Sequence, residues 1–267
     1  ERESEGLLTT AEAVWGADLV SESVAFRAGI LEQLGKRDQA IAVLKRNLGT
    51  NSPVARQEQA LSRITTLALE QGQYDVAVET LQSFLDQFPA SRAAAVALLT
   101  LGEVHLKQHA TVLATNQNGA AAISATNHLP VALNCFDRVI AVYTNSTLIG
   151  RAQLGRGWCY WMDEKYPESA MAFGAAAEAL PASEDQAVAR FKLADALFQQ
   201  KDYAGALANY AAALQVATNW PAANAELRVP ALYQSLRASL ALTNFAGATN
   251  AVREILHTDP VDPTAAR

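Results

Sequence analysis

The sequence predicts an all-α protein, a right-handed superhelical solenoid of about six helix hairpins, and three observations carry that expectation. A four-residue pattern recurs along the chain: a bulky residue, a small one three later, a large apolar one after four more, and a fourth after three. A short polar or glycine-bearing turn precedes most copies, and a helix-stopping residue follows most of them. Spacings of three, four and three place all four residues on one face of a helix, whereas a strand would need a period of two.

The copies are Arg37-Ala40-Leu44-Asn47, Tyr74-Ala77-Leu81-Phe84, Leu129-Ala132-Phe136-Val139, Tyr166-Ser169-Phe173-Ala176, Tyr203-Ala206-Tyr210-Ala213 and Phe245-Ala248-Val252-Ile255. Arg37 and Asn47 make the first copy imperfect. Each copy is the second helix of a pair, entered through Leu34-Gly35-Lys36, Gln71-Gly72-Gln73, Asp163-Glu164-Lys165, Gln200-Lys201-Asp202 or Leu242-Thr243-Asn244. Glycine or a short polar residue there ends the first helix. Pro89, Pro181 and Pro260 stop the second, because proline lacks the N–H and its ring clashes with the preceding turn; Thr144 and Thr218 take that place elsewhere. The whole chain, 1–267, reads as one solenoid with repeats over about 20–260. A leading helix at 7–17, with Trp15, is expected to cover the first pair, and 261–267 to fray. The step from Tyr74 to Leu129 is longer than the others and implies a small, polar surface insertion at about 109–128.

These residues resemble the tetratricopeptide repeat, whose second helix has an aromatic near its start, then Ala, then large apolar residues, then Pro. The resemblance covers roughly residues 20–260. It implies a small residue where the two helices of a pair cross, a place that Ala28, Gly102, Gly157 and Ala194 fit and that Thr65 and Leu236 fit less well. Helix axes approach to about 8–10 Å only where side chains are small. The bulky positions are mostly spaced a little wider than the common family period of about 34. The run Phe84-Leu85-Asp86-Gln87-Phe88-Pro89-Ala90-Ser91 is similar to repeats of two bacterial envelope proteins, the Tol–Pal-associated periplasmic coordinator and the lipoprotein of the β-barrel assembly machinery. That likeness implies a periplasmic or outer-membrane-associated location, with the cytoplasm as the alternative.

Composition narrows the function. Half of the residues are hydrophobic but only 7% are aromatic, so the core material is mostly Ala and Leu. Lys and Arg total 21 against 27 Asp and Glu, a formal charge of −6 with no basic run, which argues against a nucleic-acid partner. Cys135 and Cys159 are too few for a disulfide framework. No apolar stretch is long enough to span a bilayer, so membrane contact is expected only through an anchor upstream of Glu1, whose place at the start suggests a mature domain or an excised piece.

Chemistry-bearing constellations are sparse. His105 and His109 are four apart, on one helical face, and His128 could approach them if the insertion folds back. With no acidic or Cys ligand at matching spacing, they read as half-buried structural histidines, with no metal site. Neither Cys has neighbours that would lower its pKa, and Gly155-Arg156-Gly157 lies inside a helix pattern, not at a phosphate-cradling turn. No catalytic residue and no cofactor is expected, and the chain is not read as an enzyme.

The first helices should line the hollow side of the array. Counted from the crossing residue, positions three before, one after and four after face inward. They give Ala25, Gly29 and Glu32, then Ser62, Thr66 and Leu69 in the N-terminal half. In the C-terminal half they give Leu154, Trp158 and Trp161, then Phe191, Asp195 and Phe198, then Tyr233, Arg237 and Leu240. Trp, Tyr and Arg dominate binding hot spots, so Leu154, Trp158, Trp161, Phe191, Phe198, Tyr233 and Arg237 are expected to line a groove for a peptide or protein segment. The expected function is a non-catalytic interaction scaffold of a bacterial cell-envelope complex; the alternatives are a ligand-sensing regulatory domain and an accessory solenoid of a larger enzyme.

Overall fold

The computed structural model describes residues 16–115 and 128–258, and over these the chain is all-α. Its contacts gather into two compact units, Glu1–Val131 and Ala132–Arg267. The expected leading helix and C-terminal tail, with Trp15 and Pro260, fall outside the described residues, apart from Gly16 and Ala17.

In the first unit α1 (Ala17–Gln33) pairs with α2 (Arg37–Leu44), which tightens into a 3₁₀ turn at Lys45–Leu48. Next come the pair α3 (Val54–Glu70) and α4 (Tyr74–Gln87), then α5 (Ala93–Thr115). Helix α5 thus continues through His109 to Thr115, the early part of the stretch expected as an insertion. Helix α6 (His128–Val142) leads into the second unit, which continues with the pairs α7 (Ile149–Met162)/α8 (Tyr166–Ala179), α9 (Glu184–Gln199)/α10 (Tyr203–Ala217) and α11 (Pro221–Ala241)/α12 (Phe245–Thr258).

Every second helix opens at the expected bulky residue or one before it. The small positions Ala40, Ala77, Ala132, Ser169 and Ala206 are fully buried, and Leu81, Phe136, Phe173 and Tyr210 are sealed behind them. Removing a side chain of that size from water contributes roughly 1.5–3 kcal/mol. Ser169 departs from Ala at no cost in unpaired polarity, since its hydroxyl donates to the Gly157 carbonyl at 3.1 Å. Asn47, polar at an apolar position, is buried because its amide donates to the Ser21 carbonyl at 2.8 Å and so ties the 3₁₀ turn to α1.

Helix α7 needs its glycines for close approach. A Cβ on Gly157 would lie 2.5 Å from the Phe173 ring, and one on Gly155 would overlap the Phe136 ring. Two phenylalanines from α6 and α8 therefore press on one helix at backbone contact. In the last pair the crossing register holds Leu236, and the structure differs there as bulk dictates. Leu236 is only half buried, and Ala231, Leu232, Ala238 and Ser239 are among the buried residues of α11. With no neighbour beyond it among the described residues, α12 leaves Phe245 and Val252 exposed.

The turns within five pairs share one backbone feature, a residue in the left-handed region. Gly35 and Gly72 supply it in the first unit, but Glu164, Lys201 and Thr243 occupy it in the second, with φ of 57°, 66° and 56°. Side chains with a Cβ resist this conformation, by about 1–2 kcal/mol.

Candidate protein-binding face

The inward positions of the second unit lie on α7, α9 and α11, first helices that pack side by side. A nearly buried polar knot ties α9 to α10. The Lys192 ammonium on α9 bonds to Asp195 Oδ2 at 2.8 Å, one helical turn on, and Tyr210 on α10 donates its hydroxyl to Asp195 Oδ1 at 2.8 Å. Both oxygens of this nearly buried carboxylate are thereby satisfied, as a buried charge requires. The Tyr210 phenol is held well above its ordinary value by burial first and then by the Asp195 charge.

Lys192 also sits inside a box of aromatic rings. Its nitrogen is 5.2 Å from the ring centres of Trp158 and Trp161 and 5.1 Å from that of Phe191, distances at which a cation is held by the ring quadrupole. The rings are braced from behind. Trp158 meets Phe173 edge-on at 5.7 Å, Trp161 meets Tyr166 at 5.3 Å, and Phe198 meets Tyr203 at 5.2 Å. On α11 the Arg237 guanidinium lies 4.9 Å from the Phe198 ring centre and donates to Gln234 Oε1 at 3.0 Å.

The sequence-predicted residues divide accordingly. Phe191 is buried, packed on Tyr210 within a cluster that includes Ala194 and Ala206, so it belongs to the core and supports the face from beneath. Leu154 packs against a second cluster, Ala176, Ala177, Leu180 and Ala189. Trp158, Trp161 and Phe198 are half-buried. Tyr233 and Leu240 are 54% and 50% exposed, and Arg237 is exposed between them. The sequence reading passed over Lys192, which lies two residues before the crossing position; the only signal for it was its i, i+3 spacing to Asp195.

The corresponding positions of the first unit are chemically different. Ala25, Gly29 and Glu32 of α1 and Ser62 and Thr66 of α3 border an open concavity of about 610 Å³ without aromatic lining. Arg63 of α3 donates to both carboxylate oxygens of Glu32 on α1, from Nε and one terminal nitrogen, and its pKa is raised chiefly by that hydrogen bond. Arg56 reaches Asp18 at 3.3 Å and Glu22 at 3.7 Å.

Elsewhere the titratable groups are structural. Both cysteines are buried, and burial pushes their thiols up to about 11 for Cys135 and about 12 for Cys159, which removes the nucleophilic thiolate at neutral pH. His105 and His128 meet with their Nδ1 atoms 3.2 Å apart, and burial holds both below the ordinary imidazole value. Among the described residues no group of three or more His, Cys, Asp or Glu side chains is placed to hold a metal ion, and no helix is long and apolar enough to cross a membrane.

Stacked helix hairpins joined by tight left-handed turns, with a small residue at most crossings, define a helical-repeat scaffold. Residues 59–91 and 124–186 match family models described as tetratricopeptide repeat, so these two stretches carry tetratricopeptide repeats. Solved structures share the fold at low identity. TTC0263, a thermophilic TPR protein of Thermus thermophilus, is 20% identical with a TM-score of 0.52, over 84% of this chain and 99% of that one. PilW, described as a widely conserved type IV pilus biogenesis factor, is 16% identical with a TM-score of 0.59, over 94% and 98%. PilF of Pseudomonas aeruginosa is 13% identical with a TM-score of 0.58, over 92% and 95%. No curated protein sequence matches the chain significantly.

Proposed function

We propose that the chain is a non-catalytic scaffold that binds a peptide or protein segment along the inward positions of α7, α9 and α11, within a bacterial cell-envelope complex. The observation that carries this reading is the exposure of Tyr233, Arg237 and Leu240 on one face of α11, beside the half-buried Trp161 and Phe198. Large apolar side chains left in water on a face that also holds an aligned guanidinium have the composition of a binding hot spot. The envelope setting draws on the Phe84–Ser91 resemblance and on the pilus-biogenesis description carried by PilW. Periplasmic or outer-membrane-associated location follows from the same support.

Capture from envelope extracts tests the reading with three variants of equal helicity. Tyr233→Ser and Leu240→Ser, on the inward face, should each remove the captured protein. Met171→Ser, which changes a side chain 77% exposed on the second-helix layer, should leave it in place. Equal capture by all three would reject the face.

A further inference from the structure

Three charged side chains govern what the inward face of the second unit can accept: Lys192, Asp195 and Arg237. Asp195 has both oxygens engaged, by Lys192 and by Tyr210, and is buried, so it offers little to a partner. The Lys192 ammonium covers the aromatic faces of the half-buried Trp158 and Trp161, which are the groups that would otherwise receive a partner's cation. Arg237 remains. It is exposed, makes no ion pair among the described residues, and keeps most of its five N–H donors after bonding to Gln234. Stacking on Phe198 fixes the plane of its fork. In a chain of net charge −6 this face is therefore locally positive, with a pre-oriented guanidinium at its most open point.

We propose that the segment bound here presents an internal acidic side chain to Arg237, flanked on both sides by apolar side chains that cover Tyr233 and Leu240. The inference rests on the binding face proposed above and adds the chemistry of its partner. A planar guanidinium held by stacking pairs with a carboxylate through two parallel hydrogen bonds, and less of its freedom is lost in doing so than for a mobile lysine. Tyr233 and Leu240 lie four residues before and three after Arg237, on the same side of α11, so apolar contacts fall on either side of the carboxylate. A basic segment meets Arg237 with like charge and finds no unengaged carboxylate at the inward positions to offset it.

Three fluorescein-labelled 12-residue peptides with the same apolar pattern, repeating Leu-Asp-Phe, Leu-Gln-Phe and Leu-Lys-Phe, provide the test by anisotropy against the full chain. The Asp peptide should bind at least tenfold more tightly than the Gln peptide, and the Lys peptide should bind more weakly than both. Arg237→Gln should reduce the Asp peptide to the affinity of the Gln peptide and leave the latter unchanged. A preference for Lys, or an Asp preference that survives Arg237→Gln, overturns the proposal. Tyr233→Ser with Leu240→Ser separates it from the underlying reading. If that pair weakens three equally bound peptides, the face stands and the acidic preference falls; if it changes nothing, or if no peptide binds, the face falls as well.

Discussion

The inward layers of the two units are built on the same register and end in opposite chemistry. In the first unit the positions hold Ala25, Gly29, Ser62 and Thr66, and the charges close on themselves, Arg63 on Glu32 and Arg56 on Asp18 and Glu22. In the second, large rings fill the same positions, a lysine is boxed among them, and Arg237 stays unpaired among the described residues. A repeat fixes where side chains point and leaves open what they are. The first unit uses its inward charges to join α1 to α3, whereas the second keeps one charge and two apolar side chains open to solvent.

The close crossings give the widest contrast. Gly157→Ala forces a Cβ against Phe173 and should cost about 3 kcal/mol in urea unfolding, as overpacking of a tight core does. At the same register in the first unit, Thr65→Ala should be neutral or slightly stabilising, because the buried Thr65 hydroxyl has no hydrogen-bond partner among the described residues. Equal losses at both sites would mean that the two units do not differ in how closely their helices cross.

The polar knot comes next. Lys192→Met leaves the Asp195 carboxylate with one partner in place of two and should cost about 2 kcal/mol, less than for a fully buried pair because the ammonium is partly exposed. In the first unit Glu32→Gln should cost less than about 1 kcal/mol, since Arg63 remains half in water and an exposed pair is screened. The turns act in the other direction. Thr243→Gly should stabilise by about 1 kcal/mol, because a β-branched residue holds a left-handed conformation that glycine takes freely. Gly72→Ala should destabilise by a similar amount for the same reason.

Acid should act through the histidines of the first unit. The folded pKa of both His105 and His128 lies below the ordinary 6.5, so the unfolded chain binds protons more readily. Their contribution is fully present above 6.5 and is lost as pH falls below that value toward the lowered folded values. The melting temperature should therefore drop from about pH 7.5 to about pH 5, and His105→Phe with His128→Gln should flatten that part of the profile.

Much of the fold was legible in the sequence because hairpin repeats are local. The starts of α2, α4, α8, α10 and α12 were each marked by a bulky residue after a polar turn, and the buried Ala and Ser positions followed from one period. The left-handed turn was legible at Gly35 and Gly72 and hidden at Glu164, Lys201 and Thr243, where the sequence shows no glycine. The binding face was harder to read. Period alone put Phe191 and Tyr233 in one class, yet Phe191 is covered by Tyr210 while Tyr233, on the last first-helix of the described chain, is not. The Lys192 box joins rings from α7 and α9, residues about thirty positions apart, and no local spacing encodes a meeting between neighbouring pairs.

The contrast between the two inward layers is tested most directly by site-specific photo-crosslinking in envelope extract, with the reactive group placed in turn at positions 62, 66, 171, 233 and 240. One partner should attach at 233 and 240 and not at 62, 66 or 171. Attachment at 62 and 66 instead, or equal labelling at 171, would contradict the assignment of binding to the inward face of the second unit.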